Sequence, residues 1–298
     1  MNATALEPAL RFSAFAAQPD DRLRLDEGAL LVAEIAYPDL IHARVLRRLD
    51  ALATAVRAEL GMGADETLPT DALDQREVAT RTLAALRDVL AGREGFHGNL
   101  DDYYEPRNSF LPDVLDRRTG LPITLSVVYI EVARRLGAPL VGVGLPAHFV
   151  AKWPLPAAEG GDLFVDAFRG AVLDQGECRR LVVRALITNG APPAIDSRWF
   201  APTGTRAMVT RMLNNLKQVY LQAGDTTHAL AVVDRLVQLR PDLPEELRDR
   251  GLLRLALGEV LLAAADLVAY AERAPNAPEL RRLRKRLDAI HEVRAKLN

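Results

Sequence analysis

The chain has 298 residues, of which 49% are apolar and 26% are charged, so it is long enough to bury a full core in one large domain or two of ordinary size. Its net charge of −2 excludes the basic balance that nucleic-acid or anionic-membrane partners favour. One cysteine, Cys178, excludes an intrachain disulfide and fits a reducing compartment.

Neither the start of the chain nor its hydropathy indicates export or membrane insertion. The first residues lack the basic segment of a signal peptide. The longest apolar stretch, residues 252–271, is interrupted by Arg254, Glu259 and Asp266. We therefore expect a cytoplasmic protein that does not cross a membrane.

Four helices are predicted before residue 91, from apolar residues at helical spacing and from the helix breakers between them. They span residues 5–17, 26–36, 41–60 and 70–90. The third is amphipathic along its whole length, and Gly61 follows its last residue, where a glycine commonly ends a helix.

A very apolar segment forms the centre of the chain. Residues 122–136 are apolar nearly all round, which predicts a buried central helix ended by Gly137. Three short strands are predicted to follow it, and they span residues 139–146, 149–155 and 163–168. The Ala-Ala-Glu-Gly-Gly loop between the second and third strands is typical of a hairpin.

A second region begins after residues 190–204, a linker rich in Gly and Pro. Beyond this linker five residues recur at an offset of 34. Gly224, Ala229, Pro241, Pro244 and Glu245 recur as Gly258, Ala263, Pro275, Pro278 and Glu279. This is the tetratricopeptide period, with two helices in each repeat. We therefore expect a first domain over residues 1–200 and helical repeats over residues 205–298.

The central block resembles the SirB-type family, a branch of the transglutaminase-like superfamily. Four segments carry the resemblance: DYYEPRNSFL at 102–111, VLDRRTGLPI at 114–123, GVGLPAHF at 142–149 and VDAF at 165–168. The helical tail is similar to the usual C-terminus of that family. The resemblance implies an α+β fold, in which a transglutaminase-like, papain-like domain with a central buried helix and a small antiparallel sheet precedes an all-α tetratricopeptide-like segment.

The resemblance also shows that a catalytic residue is missing. Cysteine enzymes of the superfamily carry a thiolate at the start of the central helix, with His and Asp as partners. The segment from Arg134 to Pro139 is similar to the end of that helix, and counting back places Pro122 at the cysteine position. Proline is favoured in the first helical turn but offers no nucleophile.

Ser126 and Cys178 are weak candidates for a replacement nucleophile. Ser126 lies one turn beyond Pro122, about 6 Å along the helix axis, whereas Thr124 is rotated by about 200° and faces away. Cys178 stands at a predicted helix start beside two arginines, which can lower the pKa of a thiol. The alternative is that the hydroxyls bond backbone carbonyls and that Cys178 is an ordinary surface or half-buried residue.

His148 and Asp166 are the residual catalytic dyad that the resemblance implies. Such a pair can bind a ligand, orient a water or act as a weak base, or it can simply pin two strands together. Asn108, Arg118 and His148 are the polar residues expected to line a ligand cleft, in which Arg118 would hold a carboxylate or phosphate. The alternative for Asn108 and Arg118 is a polar network that braces the loop before the helix.

No cofactor and no metal ion are expected, because the five histidines lack paired ligand spacing. The basic run at 281–286 is typical of a solvated helix face. The leading hypothesis is a non-catalytic protein that binds a peptide or small molecule in its residual cleft and a protein partner through its repeats. One alternative is an amide hydrolase or acyltransferase that uses His148 and Asp166 with Ser126, Cys178 or water. Another is an adaptor that acts through protein contacts alone.

Overall fold

A computed structural model gives the structure of residues 3–192, 194–281 and 283. The helices are α1 (Ala3–Ala16), α2 (Leu25–Ala33), α3 (His42–Leu60), α4 (Arg76–Arg87), α5 (Leu111–Arg117), α6 (Pro122–Arg135), α7 (Gln175–Thr188), α8 (Thr205–Gln222), α9 (Thr226–Leu239), α10 (Pro244–Ala256) and α11 (Val260–Arg273). The strands are β1 (His97–Gly98), β2 (Thr119–Gly120), β3 (Val141–Leu145), β4 (His148–Trp153), β5 (Leu163–Asp166) and β6 (Ala171–Leu173). Over these residues no helix has the length and hydropathy that a bilayer crossing requires.

The chain divides into two compact units. Over the described residues, one spans residues 18–212, and the other combines residues 3–17 with residues 213–281 and 283. The predicted division at residues 200–205 assigns residues 3–17 to the first unit, whereas their contacts group them with the helical repeats.

An antiparallel sheet in the order β3-β4-β5-β6 forms one layer of the unit of residues 18–212. The three predicted strands correspond to β3, β4 and β5, and the predicted hairpin joins β4 to β5. Strand β6 was not expected, because its three residues follow Gly170 without a recognisable alternation. One sheet face packs on Cys178, Val182 and Leu186 of α7.

Helix α6 is the central buried helix that the sequence predicts. Every residue from Pro122 to Ala133 is buried, because β4 packs on one side and α2, α3 and α5 on the others. Full burial of a side chain such as Leu125 contributes roughly 1.5–3 kcal/mol. The helix begins with Pro122 at its first position, and Gly137 follows its end with a φ of 77°, a left-handed conformation that glycine adopts without strain.

A buried ion network ties the end of α6 to α2. Arg134 donates to Asp26 at 3.0 Å, and Arg135 donates to Glu131 at 2.8 Å. Burial alone raises the pKa of Asp26, but the hydrogen bond from Arg24 and the charges of the three arginines outweigh it, and that pKa lies below its usual value. The Arg-Arg pair that resembles the superfamily's helix end is therefore a structural clamp.

A short parallel ladder of β1 and β2 holds the loop before α5 against the start of α6. Gly98 lies beneath the ring of Phe168, and a Cβ at this position would stand 2.3 Å from two ring atoms. Phe168 in turn contacts the ring of His148, with 6.3 Å between ring centroids. Only glycine at position 98 therefore leaves room for the ring that packs beside His148.

We predict that Gly98→Ala lowers the free energy of unfolding of this unit by about 1–3 kcal/mol, because the methyl group overpacks against Phe168. Both tryptophans, Trp153 and Trp199, lie within residues 18–212, so fluorescence during urea titration follows this unit alone. Gly204→Ala is the control, since a Cβ there meets no atom within 4 Å. Equal midpoints for the two variants would contradict the packing described.

Helix pairs with the predicted 34-residue period form the second unit. Gly224 follows α8 and Gly258 follows α10, with φ values of 71° and 80°, and Ala229 and Ala263 are fully buried at equivalent positions. Helix α1 packs against α9 in this unit, and the Arg235 guanidinium lies 5.7 Å from the ring centre of Phe12. The basic run at 281–286 lies almost entirely outside the described residues.

Candidate functional site

A tight turn between β3 and β4 positions His148. Leu145 and His148 close the ladder, and Pro146 and Ala147 form the connection. Proline suits the first position of such a turn, and the second position favours a left-handed residue. Ala147 adopts this conformation with a φ of 54°, at a cost of roughly 1–2 kcal/mol. The turn therefore fixes His148 at the first position of β4.

Asp166 ends β5 and organises the turn into β6. Its Oδ1 accepts from the backbone N–H of Phe168 at 3.1 Å and of Arg169 at 3.2 Å. Its Oδ2 accepts from the Arg169 guanidinium at 2.8 Å. Because the aspartate bonds the backbone two and three residues ahead, the side chain is held in place by its own turn.

The predicted dyad is present as a close contact. His148 Nε2 lies 3.0 Å from Asp166 Oδ2, although among the described residues Nε2 has no well-aligned hydrogen bond. Burial alone raises the pKa of Asp166, but contacts with His148 and then Arg169 outweigh it, so the pKa lies below its usual value. The carboxylate therefore stays charged at neutral pH, while Nδ1 of His148 has no hydrogen-bond partner within the part of the chain that the structure describes.

A cavity of about 490 Å³ opens beside the dyad. His148, Asp166 and Arg169 line it from the sheet. Helix α7 supplies the facing wall through Glu177, Arg180, Leu181, Arg184, Ala185, Thr188 and Asn189. We call this cavity the dyad cleft.

Comparison with known proteins assigns the family. Residues 43–214, more than half of the chain, match the transglutaminase-like superfamily, and residues 216–288 match the tetratricopeptide repeat. The chain belongs to the transglutaminase-like superfamily. These matches confirm the predicted α+β domain with a repeat tail.

Relatives of this transglutaminase-like protein occur in bacteria and in animals. It is 36% identical over 270 residues to a UPF0162 protein of Xylella fastidiosa, and the match covers 89% of each chain. It is 30% identical over 217 residues to a UPF0162 protein of Pseudomonas aeruginosa, covering 73% of this chain and 72% of the other. It is 29% identical over 265 residues to human F-box only protein 21, covering 82% of this chain and 40% of that protein. No solved structure matches it.

Neither weak nucleophile candidate of this transglutaminase-like protein is poised for attack. Ser126 is fully buried, and its hydroxyl donates to the backbone oxygen of Pro122 at 2.7 Å. Cys178 is fully buried in the core between the sheet and α7, where a surface or half-buried residue was expected. Burial first, and the charge of Asp166 second, raise the pKa of Cys178 to about 12. A helix N-terminus contributes only about 0.3–1 kcal/mol, too little to reverse this effect.

We predict that Cys178 of the native protein resists thiol reagents. With a pKa of about 12, the thiolate fraction at pH 8 is roughly a thousandfold below that of a free cysteine. Reaction with a chromogenic disulfide should therefore be slow in buffer and complete within minutes in guanidinium chloride. Equal rates under both conditions would show that Cys178 is accessible and reactive.

Asn108 and Arg118 do not line the dyad cleft in the described structure. The Asn108 side chain is buried, accepts from Asn99 at 3.0 Å and from Arg117 at 3.2 Å, and donates to the Asp102 oxygen at 2.8 Å. Asn108 therefore braces the loop before α5, which is the alternative that the sequence left open.

Arg118 has left-handed backbone geometry at the end of α5, with a φ of 59°. This turns its side chain toward Glu94, 2.7 Å away, and over the ring of Phe96. Of the three residues expected to line a cleft, His148 is the one that lines the cavity beside Asp166.

Sequence reasoning overlooked the arginines of α7. The sequence feature that could have revealed them is the capping box of Asp174 and Glu177, which marks the start of α7. In a helix that starts there, Arg180 and Arg184 stand one turn apart on one face. A larger cavity of about 730 Å³ lies between Tyr37, Ile41 and Asp116, away from the dyad. We assign the dyad cleft as the candidate site because His148 and Asp166, the pair that the resemblance to the superfamily implies, both line it. Within the described residues no cluster of three or more metal-ligating side chains occurs.

Proposed function

We propose that this protein is a non-catalytic member of the superfamily that binds a peptide or small-molecule ligand in the dyad cleft and a protein partner through its repeat unit. The observation that carries the proposal is Pro122 at the first position of α6, where the superfamily's thiolate would stand, in a chain that keeps His148 3.0 Å from Asp166. A buried His–Asp pair beside an open cavity suits recognition, because His148 keeps a free ring nitrogen for a ligand.

The hydrolase alternative gains little support from the contacts. The Ser126 hydroxyl donates its hydrogen bond to the Pro122 carbonyl and cannot at the same time donate to His148. Cys178 holds its proton at neutral pH. Water activated by His148 is the remaining route, and a turnover measurement decides it.

The repeat unit supports a partner-binding role. Tetratricopeptide repeats suggest protein–protein contacts, and residues 216–288 match this repeat. We infer that the partner is a protein, with no role for nucleic acid or a membrane surface, since the net charge is −2. A cytoplasmic location agrees with the single, reduced Cys178.

Peptide binding to a cleft-filled variant tests the proposal. Peptides are selected by display on the full-length protein, and their dissociation constants are measured for the natural chain, Ala185→Trp and Ala58→Trp. Ala185 lines the cleft, whereas Ala58 is exposed on α3. Ala185→Trp should weaken binding by about tenfold or more, since the indole occupies the ligand's volume.

The matched variant Ala58→Trp should leave affinity within about twofold. Thr188→Trp, at an exposed position of the same wall, repeats the test if Ala185→Trp does not fold. Equal affinities for all variants would place the ligand elsewhere and refute cleft binding.

A further inference from the structure

The wall of the dyad cleft that α7 supplies carries net positive charge, because Arg180 and Arg184 face it with one carboxylate, Glu177. Cys178, Val182 and Leu186 fix the opposite face of α7 in the core. The register of the helix is therefore set, and Arg180 and Arg184 stand one turn apart along the cavity. Two like charges at this spacing repel each other weakly, and an anion between them would relieve that repulsion.

The acidic residues of the cleft, Asp166 and Glu177, already accept hydrogen bonds from other groups. Asp166 accepts from two backbone N–H groups and from Arg169, and it contacts His148. Glu177 accepts from the backbone N–H of Asp174 at 2.8 Å, as one half of the capping box. Neither carboxylate is oriented toward the α7 arginines by a hydrogen bond in the described structure.

Within the described residues, neither Arg180 nor Arg184 forms an ion pair. Some other arginines of the chain do have such a partner: Arg107, Arg198 and Arg240 each pair with an acidic residue two positions away. On the sheet side, Arg169 uses Nη1 for Asp166 and is 61% exposed, so its other N–H groups remain free to donate at the cavity mouth.

We infer that the dyad cleft binds a ligand through an anionic group, a carboxylate or a phosphate, held by Arg180 and Arg184 on one wall and Arg169 on the other. This inference rests on the proposed ligand-binding role of the cleft and names the chemistry of its ligand. Guanidinium groups bind both anions through paired N–H donors. Leu173, Leu181 and Ala185 line the same cavity, so the part of the ligand next to the anion is apolar.

Anion titration of the full-length protein tests the inference. Inorganic phosphate and succinate are titrated separately at constant ionic strength, with chloride as the balancing salt, and backbone amide and histidine ring resonances are followed by NMR. We expect saturable shifts confined to α7, Arg169 and the His148 ring. Tighter binding of phosphate identifies a phosphate-bearing ligand, and tighter binding of succinate identifies a carboxylate.

Variants on α7 provide the matched comparison. Arg180→Gln combined with Arg184→Gln should weaken anion binding by about tenfold or more, because charge-assisted hydrogen bonds are lost. Arg179→Gln should leave it within about twofold, since Arg179 is exposed on the same helix but lies against Phe200, outside the cleft lining. Equal affinities for both variants and the natural chain, or shifts at other residues, would overturn the inference.

The outcomes separate this inference from the proposed function. Selected peptides that lose affinity for Ala185→Trp but not for the Arg180→Gln, Arg184→Gln protein would uphold cleft binding and refute an anionic ligand group. Arginine-dependent phosphate or succinate shifts in a protein whose peptides bind Ala185→Trp normally would uphold the anion site and refute peptide binding in the cleft.

Discussion

Asp166→Ala is expected to lower the free energy of unfolding of the unit of residues 18–212 by about 3 kcal/mol, at the lower end of the cost of breaking a buried ion pair. Asp166 is 1% exposed, accepts three hydrogen bonds and contacts His148. Alanine would leave two backbone N–H groups and the Arg169 guanidinium without their acceptor, and His148 without its carboxylate contact. Urea unfolding followed by tryptophan fluorescence at pH 7 measures the loss.

Asp166→Asn is the matched variant. Its amide oxygen can still accept from Phe168 and Arg169, so about half of the loss should be recovered. A loss under about 1 kcal/mol for Asp166→Ala would show that the dyad and its turn contribute no more than a surface ion pair.

The contribution of Asp166 should also depend on pH in a defined direction. Its folded pKa lies below the unfolded value of about 3.9, so the folded state favours the charged form. The stabilisation is fully present above the unfolded pKa and is lost as pH falls through the folded pKa. The difference in unfolding free energy between the natural chain and Asp166→Asn should therefore shrink as pH falls below about pH 4. A difference that grows on acidification would contradict this assignment.

Arg135→Ala is expected to cost about 3 kcal/mol in the same unit, because it leaves buried carboxylates with fewer cations. Arg135 is 11% exposed, and its partners Glu131 and Asp26 are 1% and 2% exposed. Tryptophan fluorescence during urea unfolding again reports the change. Arg87→Ala is the control, since Arg87 and Asp88 form an exposed pair that contributes about 0–1 kcal/mol.

A double variant separates lost charge from lost packing. Arg135→Met combined with Glu131→Met should cost less than the sum of the two single changes, because neither charge remains buried alone. Strict additivity would show that the two side chains do not act as a pair.

The parts of the fold that local pattern determines were predictable. An apolar run from Pro122 to Leu136 followed by Gly137 allowed only a buried helix, and α6 has those limits within one residue. The turn residues between β4 and β5 allowed a hairpin. The offset of 34 residues between Gly224 and Gly258 revealed the repeats before any contact was known.

Long-range partners were not predictable from one sequence. Asp26 bonds Arg134 across more than a hundred residues, and residues 3–17 join the helical unit far along the chain. No periodicity encodes such pairings.

The candidate site was predictable only in part. His148 and Asp166 were expected from the resemblance to the transglutaminase-like superfamily, and the structure places them in contact. Asn108 was expected in the cleft from the same resemblance, but its partners depend on how the loop folds. Arg180 and Arg184 were overlooked because an arginine on a helix is usually solvated, and only the tertiary packing of α7 turns this face toward a cavity.

His148 and Asp166 lie in contact in a chain whose α6 begins with Pro122, and we propose that this pair serves binding without catalysis. A turnover assay tests it most directly. The natural chain and His148→Ala are incubated with a panel of peptide amides and esters, with and without a primary amine acceptor, and products are quantified by mass spectrometry. We predict product formation at the buffer rate for both proteins. Products that form faster than in buffer, and that His148→Ala abolishes, would establish catalysis and contradict a binding role without chemistry.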